Sequence, residues 1–113
     1  MSLVKEFNEN RSRLNEKVMA ADEKVIKRIF SIDSFAFKEG ELDAQSKELI
    51  GLTCSLVLRC DDCVKYHLGK CQEAGLGKAQ ITEAMGISTL IGGTIVIPHL
   101  RRAMEFLDEL FEE

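Results

Sequence analysis

Apolar residues return at three- and four-residue intervals along almost the whole chain, a period that suits helices and leaves little room for strands. From Leu3 the series runs through Phe7, Leu14, Val18, Ala21 and Val25 to Ile26, Ile29 and Phe30, with charged residues between. This predicts one long amphipathic helix over Leu3–Phe30. Asn10 interrupts its near-heptad spacing, so the apolar stripe is expected to pack on its own domain or on a second copy rather than form an extended coiled coil.

Ser31 to Glu41 reads as a short turn or helical fragment in which Phe35 and Phe37 serve as packing anchors. Asp43 is a candidate N-cap for a helix over Ala44–Arg59, whose stripe is Leu49, Ile50, Leu52, Thr53, Leu56, Val57 and Cys60. Asp61 or Asp62 is expected to cap a helix through about Ala74, with Gly75 as its left-handed end. Ala79–Ile97 is apolar almost all round after Glu83, which predicts a buried central or interface helix. The Ile87–Ile97 run is too short to cross a bilayer and is broken by Gly92-Gly93. Pro98 should kink or restart the helix before a final amphipathic segment, Leu100 to Phe111. The expected fold class is all-α, about five to six helices in a single domain over 1–113.

A hydrophobic content of 45% against 30% charged residues fits an ordinary globular domain, and the net charge of −4 offers no basic footprint for nucleic acid or an anionic membrane surface. Neither partner is expected. The four cysteines, two of them in one C-x-x-C and with no secretory leader pattern before them, fit a reducing cytoplasm better than a disulfide-stapled secreted domain.

The chemistry concentrates in Cys60-Asp61-Asp62-Cys63-Val64-Lys65-Tyr66-His67. On a helix, positions i, i+3 and i+7 share one face, so Cys60, Cys63 and His67 form a stripe of two thiols and an imidazole. A helix start lowers the pKa of a thiol, a neighbouring thiol resolves an oxidised one as a disulfide, and a histidine moves a proton near neutral pH. Spacing alone allows either cysteine to be the nucleophile. A thioredoxin-like reading lacks the required βαβ surroundings. Cys60, Cys63, His67 and Glu48 could supply four zinc ligands, but structural zinc sites usually draw on two separated pairs, so no metal is expected. Cys54 and Cys71 are expected to be buried small hydrophobes, Tyr66 to pack, and His99 to be structural or at an interface. The acidic tail, Glu105, Asp108, Glu109, Glu112 and Glu113, reads as a solvated face.

Leu42-Asp43-Ala44-Gln45-Ser46-Lys47-Glu48-Leu49-Ile50, the Cys60-x-x-Cys63-x-x-x-His67 motif, Gly75 and the Gly92-Gly93 helix together resemble the AhpD-like alkylhydroperoxidase group of the carboxymuconolactone decarboxylase family. The resemblance covers about residues 42–107 and leaves 1–41 as a helical extension. It implies an all-helical thiol peroxidase or disulfide oxidoreductase in which Cys63 attacks a hydroperoxide and Cys60 donates a proton and then closes the disulfide. Glu48 and His67 would form the proton relay, with Glu48 singled out from Glu41 and Lys47 by the resemblance alone. No cofactor is implied beyond the Cys60–Cys63 disulfide. The implied partners are a hydroperoxide substrate, a protein or small-thiol reductant, and further copies of the chain in a trimer or a hexamer. The alternatives are a carboxymuconolactone decarboxylase-type enzyme, as in the family's namesake, and a metal-binding or non-catalytic oligomeric module. The better-known peroxidase members carry a histidine immediately before the second cysteine, whereas this chain has Asp61-Asp62 between its thiols. A carboxylate there opposes thiolate formation and implies slower peroxide chemistry, with Arg59 and Lys65 as the expected compensating charges.

Overall fold

The apolar series from Leu3 to Phe30 belongs to two helices, not one. In the computed structural model, which describes residues 2–112, α1 spans Leu3–Ala20 and α2 spans Lys24–Ala36, parted by a left-handed Asp22 with φ of 52°. The Glu23 carboxylate caps the new helix by accepting from Val25 N and Ile26 N, both at 3.1 Å. Glutamate is not a favoured N-cap, so nothing in the local sequence advertises the break. The segment Ser31–Ala36, expected as a turn or fragment, is the last part of α2.

The remaining helices are α3 (Ala44–Val57), α4 (Asp61–Glu73), α5 (Lys78–Gly92) and α6 (Ile97–Leu110), with a short 3₁₀ turn at Thr94–Val96. No strand occurs among the described residues. Asp43 caps α3 as predicted, its side chain accepting from Ser46 N at 2.7 Å. Gly75 takes the left-handed position after α4, with φ of 92°. Gly93, at φ of 84°, ends α5, and Pro98 lies in the first turn of α6 where no backbone donor is needed.

The core lies between α3, α4, α5 and α6, where Leu52, Leu56, Val64, Leu68, Ile81, Met85, Phe106 and Leu107 are buried. Each such side chain contributes about 1.5–3 kcal/mol by leaving water. Neither α1 nor α2 buries a residue completely, so both are held mostly at particular points. Phe7 meets Phe106 edge to face at 5.6 Å between centroids. The Glu109 carboxylate reaches from α6 to accept from Leu3 N at 2.9 Å and Val4 N at 3.2 Å, satisfying donors at the open start of α1. Asp108 pairs with Lys78 at 2.7 Å. Two residues of the predicted solvated tail are therefore structural ties, and Glu113 lies outside the described residues.

Two burial expectations need correction. The α5 helix is not a buried centre in this chain: it turns Ile81, Met85 and Ser88 inward and leaves Leu90 at 83% and Ile91 at 72% exposed. Beside them Leu58, Ile87 and Ile95 also face outward. Cys54 is exposed rather than buried, whereas Cys71 is fully buried as expected. No helix among the described residues is long and apolar enough to cross a membrane.

Cys71 sets a pH limit on the fold. Burial, and then the nearby Glu48 charge, push its thiol up to about 12. Because the folded value is raised, the stability from the neutral buried thiol is intact below the ordinary thiol range and declines from about pH 9 upward as the unfolded chain ionises first. Denaturation midpoints measured from pH 8 to 11 are expected to fall more steeply in wild type than in Cys71→Ala. Equal slopes would remove Cys71 as the cause.

Candidate active site

The site begins at a three-residue connection. Leu58, Arg59 and Cys60 join α3 to α4, and Arg59 takes a left-handed conformation at φ of 63°. Arg59 N bonds Leu56 O at 3.0 Å and Cys60 N bonds Ser55 O at 3.1 Å, which closes the end of α3 in a Schellman arrangement. A non-glycine residue there carries backbone strain of order 1 kcal/mol. The tight exit turns the chain back on itself and makes Cys60 the N-cap of α4, in place of the predicted Asp61 or Asp62.

The Cys60 sulfur accepts from the Cys63 backbone N–H at 3.3 Å, so the positive end of the helix faces it. Cys60 and Cys63 are joined as a disulfide with Cα atoms 5.3 Å apart. Cys60 is half-buried and Cys63 is exposed.

Reversal at the connection brings α3 back alongside α4, so residues on either side of it meet. Gln45 Nε2 donates to Ala74 O at 2.9 Å across this pair. Nearer the turn, Glu48 Oε1 lies 2.9 Å from His67 Nδ1, with side-chain exposures of only 12% and 11%. In the tautomer with its proton on Nδ1, His67 donates to Glu48 and leaves Nε2 free to accept a proton. Helical spacing could not place Glu48 near the motif; the hairpin does.

Gly51 was not anticipated from the sequence. It lies eight residues before Arg59, as His67 lies eight after, and a Cβ there would fall 2.6 Å from His67 Cε1 and 2.7 Å from Nδ1. The ring occupies the space that any side chain at 51 would need. Phe37 covers the ring at 5.3 Å and Tyr66 meets it at 5.1 Å. The Lys47 ammonium holds the end of α2 in place by donating to Ala36 O at 2.8 Å and to Lys38 O. Arg11 of α1 lies over the Tyr66 ring at 4.0 Å.

A cleft of about 690 Å³ opens onto this assembly between α1 and the first turns of α4. Cys63 and His67 line it, Cys60 does not, and Leu3, Phe7 and Leu14 supply apolar surface. Among the described residues no three His, Cys, Asp or Glu side chains are placed to hold one metal ion. The structure thus brings Cys60, Cys63, His67 and Glu48 into one region. Asp61, between the two cysteines, bonds His99 and Arg102 of α6, a pair of partners not anticipated from the sequence.

Comparison with known proteins places the chain in a family and shows its fold elsewhere. A Thermotoga maritima protein is 51% identical in one crystal structure, which covers 94% of this chain and 93% of that one with a TM-score of 0.91. A second structure of it describes a carboxymuconolactone decarboxylase family protein with a possible involvement in antioxidative response; it is 50% identical, with a TM-score of 0.85 over 93% of this chain and 89% of that one. A Legionella pneumophila protein at 19% identity shares the fold, with a TM-score of 0.86 over 96% of this chain and 97% of that one. An uncharacterized protein from the cox locus of Paracoccus denitrificans is 26% identical over 80 residues, 71% of this chain and 72% of that protein. The sequence model of the carboxymuconolactone decarboxylase family matches residues 23–106, from the cap of α2 to Phe106 in the core, and on that match the chain belongs to the carboxymuconolactone decarboxylase family.

Proposed function

We propose that the protein reduces hydroperoxides through the Cys60–Cys63 couple, with disulfide exchange as the returning half-reaction. The observation that carries the reading is the shared cleft: the exposed Cys63 opens onto it beside His67, whose other ring nitrogen is held by the half-buried Glu48. His67 takes the Cys63 proton, and the thiolate attacks the terminal oxygen of the hydroperoxide, breaking the O–O bond. Cys63 becomes a sulfenic acid, and the departing alkoxide takes the Cys60 proton and leaves as the alcohol. The Cys60 thiolate, supported by the Cys63 N–H at the helix start, then attacks the Cys63 sulfur. Hydroxide leaves with the proton from His67 as water, and the disulfide forms. A dithiol or two monothiols return two electrons and two protons.

Intact-mass thiol counting tests this. One equivalent of an organic hydroperoxide should remove two thiols from the reduced wild-type protein, with the new disulfide mapped to Cys60 and Cys63. Unchanged thiols would overturn the reading. The possible involvement in antioxidative response ascribed to the Thermotoga maritima protein supports the same direction.

The outward apolar surface of α5 supports a second inference, that several copies assemble over it. Light scattering should give a mass of three or six chains, and a monomer at micromolar concentration would count against it.

A further inference from the structure

Asp61 lies between the two cysteines in sequence, yet its side chain turns away from the cleft toward α6. Its Oδ1 meets His99 Nδ1 at 2.8 Å and its Oδ2 accepts from Arg102 Nε at 2.7 Å. The half-reactions proposed above use neither His99 nor Arg102. Burial works against the charge on Asp61, but the hydrogen bonds from His99 and Arg102 and the Arg102 charge outweigh it and hold the carboxyl below its ordinary value. Asp61 is therefore an anion next to Cys60 whose charge is met from another helix.

We propose that Asp61, His99 and Arg102 form a positioning clamp by which α6 cancels the carboxylate beside Cys60 and holds the first turn of α4, and thereby sets the reactivity of the cysteine pair. The inference rests on the reading of Cys60 and Cys63 as the redox couple. An unpaired carboxylate in the first turn would oppose a thiolate at either cysteine and offset the positive helix end that faces the Cys60 sulfur. A guanidinium in contact with it reduces that field at the sulfur atoms. Asp62, by contrast, lines the cleft and has no ion-pair partner among the described residues, so it remains the acting negative charge beside Cys63. The other charged groups around the motif include Arg59 in the connection, Lys65 one turn on, the Glu48–His67 pair from α3 and α4, and Glu6, Arg11, Arg13 and Asp33, which line the cleft from α1 and α2. Of these, only Glu48 and His67 are paired among the described residues. The motif is thus gripped from two sides, the proton relay from α3 and the charge clamp from α6.

A clamp of this kind gives opposite signs to its two ends, which a merely structural contact does not. The test measures iodoacetamide alkylation of Cys60 and Cys63 at pH 7 in the reduced full chain, resolved by peptide mass, and the equilibrium of the disulfide with dithiothreitol. Arg102→Gln removes the guanidinium charge and leaves only His99 on the carboxylate, and alkylation should slow by about three- to tenfold while the disulfide becomes harder to reduce. Asp61→Asn should leave alkylation unchanged or faster. The double variant should behave like Asp61→Asn, and Arg102→Lys, which keeps the charge, should stay near wild type. Slowing of the same size in Asp61→Asn and Arg102→Gln, or no change in Arg102→Gln, would overturn the proposal. Neither readout needs peroxide. If hydroperoxide forms no disulfide in wild type while the opposite signs hold, the functional reading fails and the clamp stands.

Discussion

Cys63→Ser is expected to abolish hydroperoxide turnover, a loss of at least about a thousandfold, while leaving the fold intact. The residue is exposed, in the first turn of α4, and takes no part in the core, so a hydroxyl in its place should leave stability close to wild type. Cys60→Ser should behave differently. Cys63 still meets the peroxide, but no second thiol is present to resolve it, so one oxidation per chain is expected, stopping at a sulfenic acid that a dimedone probe traps on Cys63. Steady-state turnover with a coupled dithiol and mass mapping of the adduct check both variants. Equal residual activity in the two would remove the distinction between attacking and resolving sulfur, and an adduct on Cys54, the other exposed thiol, would place the chemistry elsewhere.

Gly51→Ala is expected to damage the site through the His67 ring, leaving both cysteines in place. The added Cβ would overlap the imidazole, and either the ring leaves Glu48 or α3 and α4 move apart. Overpacking of this kind costs about 1–3 kcal/mol, and loss of a positioned proton acceptor lowers rate by about a hundredfold or more. His67→Ala removes the obstacle. The stability penalty of Gly51→Ala should therefore largely vanish in the His67→Ala background, a coupling that a thermodynamic cycle measures. Equal penalties in both backgrounds would show that Gly51 is constrained by something other than the ring. Glu48→Gln gives the complementary variant: it keeps the shape but not the charge that orients the imidazole, and its rate should fall with a changed pH profile.

Local information was readable where the determining contacts lie within a turn or so of each other. The Asp43 cap, the left-handed Gly75 and the Pro98 start all depend on a few neighbouring residues, and each falls where the pattern places it, whereas the helix expected through Ile97 ends at Gly92. The break between α1 and α2 was illegible for the same reason: it is capped by a glutamate, and the apolar period continues across it. Cys60 as N-cap was missed because its place follows from how α3 ends, through a left-handed Arg59 that residue preference disfavours.

What the sequence by itself determined about this protein is its all-helical class and the pairing of two thiols with a histidine at a helix start. Both follow from interactions that close within one or two turns, whose period is visible in a string of letters. The tertiary structure decided which residues complete the site. Glu48 and Gly51 reach His67 only because a three-residue connection folds α3 back on α4, and Asp61 is neutralised only because α6 packs across the start of α4. It also decided that Cys54 faces outward and Cys71 inward, since the side of a helix that is buried depends on its neighbours and not on its own period. Contacts between helices are set by turn geometry and packing, which link residues far apart in the chain and leave no local spacing to read.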